Sequence, residues 1–141
     1  MHPVRLPSTS RPAPRWILNR TDRVPDVAAD WEAAIAADSE REARFQFTTL
    51  QQQFLRLHRG NAGKLPAPVI ELGEEWSERE LVAMEQTLAR SLVGNPDQIR
   101  HGLKALLAET RADELMFNGP IVDHQARLRS FEIAAELMQA L

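Results

Sequence analysis

The 141-residue chain contains no cysteine. That excludes a disulfide scaffold, thiolate catalysis and every cysteine-based zinc or iron–sulfur site. No apolar run approaches the roughly 20 residues that span a bilayer. No unbroken apolar stretch near Met1 reads as a secretory signal, so a cytoplasmic location is expected. Glycine-rich phosphate loops of the G-x-G-x-x-G and Walker kinds are missing, as are a G-x-S-x-G elbow and an H-E-x-x-H helix. Lysine is scarce, 2 residues against 15 arginines, a skew that GC-rich coding produces without any functional demand. Neither sign of charge dominates: the net charge is −3 and the pI about 5.8. Nothing in that balance draws the whole chain toward nucleic acid or anionic lipid, and neither partner is expected.

What remains is ordinary globular composition. Apolar residues make up 43% and charged residues 26%, which suits one domain. The charge is nonetheless unevenly placed. Residues 1–25 carry Arg5, Arg11, Arg15, Arg20 and Arg23 against the single acid Asp22, together with Pro3, Pro7, Pro12, Pro14 and Pro25. Proline removes backbone donors and pushes the residue before it out of the α region. Residues 1–30 therefore read as a basic, proline-rich, disordered tail, and residues 31–141 as the folded segment. Only Trp16 interleaves with those arginines, so a solvated tail is the plainer reading than a nucleic-acid arm.

Beyond residue 30 the start and stop signals are clear. Trp31 to Ala37 is a short apolar stretch that suits a strand or a helical turn, and it takes the strand's place in the element order. Ser39 with Glu42 predicts a capped helix start. Ala43, Phe47, Leu50, Phe54 and Leu57 then predict one buried stripe, closed by Gly60. Residues 60–76, with Gly60, Gly63, Pro66, Pro68 and Gly73, predict a long loop of the kind that serves as a lid or binding loop. Ser77 with Glu80 predicts a second capped helix, with Trp76 and Leu81 spaced for a hydrophobic staple. Residues 91–94 are a brief apolar run, too short to assign alone, which takes a strand's place in the alternating order. Asn95-Pro96-Asp97-Gln98 opens a third helix with the face Ile99, Leu103 and Leu106. Leu115-Met116-Phe117 reads as a buried strand ended by Asn118-Gly119-Pro120. Asp123 caps a last helix with the stripe Leu128, Phe131, Ala135 and Met138. Alternating strands and helices predict βαβ units, an α/β fold with predominantly helical content.

Candidate chemistry is sparse. His2, His58, His101 and His124 are scattered, and none pairs with another at ligand spacing, so no metal site is assigned. His124 follows Asp123 after a strand and turn, where βα loops often carry function. Its plainer reading is a first-turn helix residue making local hydrogen bonds. His58 and His101 are expected on helix surfaces. Asp38/Glu40 and Glu74/Glu75 read as solvated faces or helix-start acids, not paired catalytic carboxylates. Lys64 would meet a phosphate only if its loop closed over a ligand; exposure is the plainer reading. No residue is assigned as catalytic.

Several short motifs, in order, carry a resemblance. They are Leu50-Gln51-Gln52-Gln53-Phe54-Leu55, Arg59-Gly60, Leu65-Pro66-Ala67-Pro68-Val69, Leu92-Val93-Gly94-Asn95-Pro96, Gly102-Leu103 and Ala112-Asp113-Glu114-Leu115-Met116. Asp123-His124 and Arg127-Leu128-Arg129-Ser130-Phe131-Glu132 follow. Together, over about residues 35–141, they resemble the C-terminal part of luciferase-like, flavin-dependent monooxygenases. The resemblance implies the last units of a (β/α)₈ TIM barrel, with residues 91–94 and 113–117 as its last two strands and residues 60–76 near the active site. It implies reduced FMN as cofactor, dioxygen as oxidant and a small organic substrate in the full-length family.

A whole barrel takes roughly 250 residues. The family's catalytic histidine and most flavin-phosphate contacts belong to earlier strands, so the flavin-binding residues of this chain are unknown. Arg111 stands where the family usually has glycine. The resemblance thus implies a truncated barrel, inactive alone, with open faces that favour self-association. The alternative reading is a non-enzymatic helical interaction module whose apolar stripes bury against a partner.

Overall fold

The computed structural model describes residues 33–110 and 115–141. The tail of residues 1–30, His2, Trp16, Trp31 and Arg111 lie outside the described residues. Six elements follow in order: β1 (Ala34–Ala36), α1 (Glu40–His58), α2 (Glu78–Leu88), β2 (Leu92–Gly94), α3 (Pro96–Thr110) and α4 (His124–Ala140). The fold is α/β, as expected.

The helix boundaries follow from side-chain chemistry. Ser39 accepts a hydrogen bond from the Glu42 N–H at 3.2 Å. Ser77 accepts from the Glu80 N–H while its own N–H donates to the Glu80 carboxylate, a complete capping box. Asn95 and Gln98 make the same reciprocal pair, with Pro96 at the first helical position. Asp123 accepts from the Ala126 N–H at 2.7 Å. Gly60 takes φ +79°, and the Gly60 and Asn61 N–H groups donate to the Leu57 and Arg56 carbonyls. These are the two bonds that close a helix through a left-handed residue.

β1 and β2 pair in parallel with Ala34 opposite Leu92, Ile35 opposite Val93 and Ala36 opposite Gly94. α3 and α4 pack on each other and on the strands. Ala36, Ile99, Leu103, Ile133 and Leu137 form the core there, with Leu92, Leu115, Phe117 and Met138 against it. Alternation along β1 turns Ile35, fully buried, to the opposite face. α1 packs on both strands and on α2, and it covers that second face. A Cβ on Gly102 would stand 2.6 Å from Leu92 Cδ2, so the missing side chain lets α3 lie close over β2.

Three expectations are corrected. The strand read at Leu115-Met116-Phe117 does not form: residues 115–117 have no regular structure, and Asn118 makes a single parallel bridge to Ala33. The Ala34 N–H donates to the Asn118 carbonyl at 3.0 Å. The next rung would need an N–H at residue 120, which is Pro120, so the ladder stops. Next, the buried face of α4 is Ser130, Ile133, Ala134 and Leu137, not the stripe read from Leu128, Phe131, Ala135 and Met138. Leu128 and Phe131 are about two-fifths exposed, Ala135 is exposed, and only Met138 touches the core.

The third correction concerns α1. Its buried residues are Ala43, Gln46, Thr48, Thr49 and Leu55, whereas Phe47, Leu50 and Phe54 are half-buried and Leu57 is exposed. The cause is the loop that follows. Thr49 donates to the Pro66 carbonyl at 2.9 Å, Gln52 to the Ala67 carbonyl at 2.9 Å, and the Val69 N–H donates to Thr48 Oγ1 at 2.9 Å. Residues 66–69 therefore run along α1 as a tethered strap. Irregular backbone needs hydrogen-bond partners when buried, and polar residues on the helix supply them.

Candidate functional site

β1 has neighbours on both edges, β2 on one and Asn118 on the other. The chain leaves β1 into α1 on one face and leaves the Asn118 segment into α4 on the other. Where successive strands send their connections to opposite faces, a crevice opens at their carboxyl ends, and ligands of open α/β sheets bind there. The structure has a cleft of about 370 Å³ at this place, between the first turns of α1 and α4.

Its walls are Ala36, Ala37, Asp38, Ser39, Glu42 and Gln46 from one side and Gln125, Ala126 and Arg129 from the other. Arg129 closes it. Its Nη2 lies 2.7 Å from Asp38 Oδ1 and its Nε 3.1 Å from the same oxygen, while Nη1 reaches Glu132 at 3.4 Å. The hydrogen bond from Arg129 holds the Asp38 carboxyl below its ordinary value, and the same contact raises the Arg129 guanidinium. Glu42 accepts from Gln46 Nε2 at 2.9 Å. Gln46 Oε1 is buried with no hydrogen-bond partner among the described residues.

The ion pair ties the two walls of the cleft together. Asp38 stays ionised and paired, so it offers neither a proton nor a free base at neutral pH. No group of three or more metal-ligating side chains exists among the described residues. His124 occupies the first position of α4 and its Nδ1 meets Arg127 Nη2 at 2.8 Å. Arg127 in turn donates to the Ile121 carbonyl at 3.0 Å. The local reading of His124 holds. His58 is exposed and stacks on Phe54 with ring centroids 6.0 Å apart, and His101 and Lys64 are exposed. Asp38 and Glu40 turn to different partners, Arg129 and Arg44. Glu74 and Glu75 are exposed, and the Glu75 carbonyl accepts from Arg59.

Sequence reasoning missed the strongest polar cluster, which lies on the loop side of α1. Arg59 pairs with Glu80 at 2.6 and 2.8 Å and lies 4.3 Å over the Trp76 ring. Arg59 and the Ser77 backbone N–H hold the Glu80 carboxyl down at about 2. The cluster joins the end of α1 to the start of α2 and fixes the far end of the loop. Capping signals at Ser77 and Gly60 revealed both helix ends, but nothing in the spacing shows that Arg59 bridges them.

The described part is thus a parallel α/β layer with a cleft at its strand ends. No protein-family model matches the chain. It is 50% identical over 107 residues to proteins named "Luciferase-like monooxygenase" from Escherichia coli strains K12 and O6:H1, covering 76% of this chain and 32% of each of those. A Bacillus subtilis protein, YvbT, is 36% identical over 103 residues, covering 73% of this chain and 31% of its own length. The crystal structure of apo-MsnO8 superposes with a TM-score of 0.57 at 25% identity, covering 77% of this chain and 33% of that one. The chain spans about a third of the length of the curated relatives it matches. It is a partial representative of the luciferase-like monooxygenases. Among the described residues, no helix is long and apolar enough to cross a membrane.

Proposed function

We propose that residues 31–141 are the C-terminal segment of a cytoplasmic luciferase-like monooxygenase, an oxidoreductase that uses reduced FMN and dioxygen on an organic substrate. In the whole protein they would supply the last units of a (β/α)₈ barrel. The observation that carries this reading is 50% identity sustained over 107 residues yet confined to 32% of the relatives' length.

Bound reduced flavin would supply the chemistry of dioxygen activation. The lining of the cleft does not fit its phosphate. A flavin phosphate needs unpaired donors or cations, whereas the cleft presents the carboxylates of Asp38 and Glu42, and its one cation, Arg129, is taken by Asp38 and Glu132. A dianion beside two carboxylates is disfavoured. A barrel active site also draws its groups from the ends of several strands, and β1 and β2 are two. The chain alone is therefore expected to bind FMN weakly and to turn over no substrate.

The test is titration of the purified chain with FMN and reduced FMN, followed by oxygen-dependent turnover, alone and after refolding with the first two-thirds of the E. coli relative. Flavin-dependent oxygen uptake only in the mixture supports the reading. Tight one-to-one binding and turnover by the chain alone would overturn its inactivity. A stable mixture without flavin binding would favour the interaction-module alternative, for which the exposed Met116, Val122, Leu128 and Phe131 provide apolar surface.

A further inference from the structure

Asn118 and Gly119 stand where an isolated bridge joins the segment after α3 to β1. The Asn118 carbonyl accepts the Ala34 N–H at 3.0 Å. A Cβ on Gly119 would stand 3.2 Å from the Ala34 carbonyl oxygen. β1 thus asks for a residue without a side chain at position 119, since any other would press on backbone. This packing demand has a chemical consequence. It leaves an asparagine followed by glycine, the pair in which the following nitrogen is least shielded.

The groups needed for a reaction between the two residues are free. Asn118 is exposed, and its side-chain amide makes no hydrogen bond among the described residues. The Gly119 carbonyl accepts the Ile121 N–H at 2.8 Å, but the Gly119 N–H has no acceptor among the described residues. Residues 115–117 and 119–121 have no regular structure, so apart from the single bridge no ladder resists rotation about the Asn118 Cα–C bond. The other described asparagines lack this combination. Asn95 precedes Pro96, which has no N–H, and its Oδ1 accepts the Gln98 N–H at 3.0 Å. Asn61 is also exposed but precedes Ala62, whose Cβ crowds the nitrogen.

We propose that Asn118 is a self-modification site whose reagent is water. The Gly119 nitrogen attacks Asn118 Cγ. The N–Cγ bond forms, the Cγ–Nδ2 bond breaks, and ammonia leaves with the proton from the Gly119 N–H. Water then adds to one carbonyl of the cyclic imide and breaks that carbon's bond to the Gly119 nitrogen, which regains a proton. Opening at Cγ gives aspartate. Opening at the main-chain carbonyl carbon gives isoaspartate, whose main chain runs through Cβ and Cγ. Nothing is oxidised or reduced. Either product places a new negative charge beside β1. Isoaspartate also adds an atom to the backbone between the two contacts with Ala34, so the bond to its N–H and the close seat of Gly119 no longer fit together.

The test incubates the folded full chain in mildly alkaline buffer, beside the same chain unfolded in urea, and follows its peptides by mass. Each conversion adds about 1 Da. In the folded chain Asn118 is expected to convert about tenfold faster than Asn61. Enzymatic methylation of isoaspartate is expected to label the peptide that contains position 118. Asn118→Gln is expected to abolish the label and keep the fold. Only the main-chain carbonyl of Asn118 serves the bridge, and the longer side chain closes a larger, slower-forming ring. The isoaspartate form is expected to exchange its Ala34 amide faster than fresh chain, with the Leu103 amide in α3 unchanged. Conversion of Asn118 no faster than that of Asn61, or confined to the urea-unfolded chain, would overturn the proposal. An isoaspartate form whose Ala34 amide exchanges as slowly as before would overturn its link to β1.

Discussion

Ser130 Oγ accepts the Ala36 N–H at 2.9 Å across 94 residues of chain, and both residues are 2% exposed. The bond seats α4 on the edge of β1, next to the cleft that Asp38 and Arg129 close. Removing the hydroxyl leaves a buried amide with no acceptor, a loss of about 1–3 kcal/mol. Ser130→Ala is expected to lower the denaturant midpoint accordingly and to speed exchange of the Ala36 amide more than that of Ile35. Unchanged stability and exchange would show the bond to be dispensable.

Glu80 sets an acid limit on the α1–α2 junction. Its carboxyl falls from an ordinary 4.5 to about 2, first because Arg59 hydrogen-bonds it and then because the Ser77 N–H does. A lowered carboxyl contributes stability above its unfolded value and loses that contribution as the pH falls through 4.5 toward 2. Asp38, held down by Arg129, acts in the same direction. The chain is expected to weaken progressively below about pH 4.5, and Glu80→Gln is expected to flatten that part of the stability profile. The Glu80 carboxyl resonance should titrate near 2; titration at 4.5 would show the Arg59 contact to be absent in solution.

α4 carries two rival faces, and mutation separates them. Ile133 and Leu137 are 2% and 5% exposed, whereas Leu128 and Phe131 are 43% and 39% exposed. Ile133→Ala is expected to cost about 2–5 kcal/mol. Leu128→Ala is expected to stay within about 0.5 kcal/mol, as for most surface substitutions. Thermal or denaturant unfolding of the two variants decides it. A reversal of the order would restore the stripe read from the sequence.

These faces show where the sequence was legible. Boundaries at Ser39, Gly60, Ser77, Asn95 and Asp123 could be read because capping is chemistry between residues three or four apart. Ile99, Leu103 and Leu106 of α3 were read correctly because an apolar core covers that helix along its length. α1 misled because its partner is a strap of backbone, and backbone asks for Thr48, Thr49 and Gln52 rather than for leucine. α4 misled because its first buried position is Ser130, chosen for an amide 94 residues away. The Asp38–Arg129 tie that closes the cleft spans 91 residues. No local pattern encodes a pairing of that range, so the position of the cleft was hidden although most of its helix caps were visible.

The loop after α1 combines both kinds of behaviour, and proteolysis can tell them apart. Residues 61–65 are exposed, whereas residues 66–69 are held on α1 by Thr48, Thr49 and Gln52. Arg59 is engaged by Glu80 and Trp76. Within residues 33–110, trypsin is therefore expected to cut first after Lys64, because a protease needs several residues of backbone free to open locally. Cleavage after Arg59 should follow more slowly. Thr48→Ala/Thr49→Ala removes two of the three tethers and is expected to accelerate cutting at Lys64 and to open new sites for a broad-specificity protease in residues 66–72. Mass spectrometry of the first fragments reads both outcomes. A first cut inside α3, or an unchanged pattern in the double variant, would show that the strap is not what holds this loop.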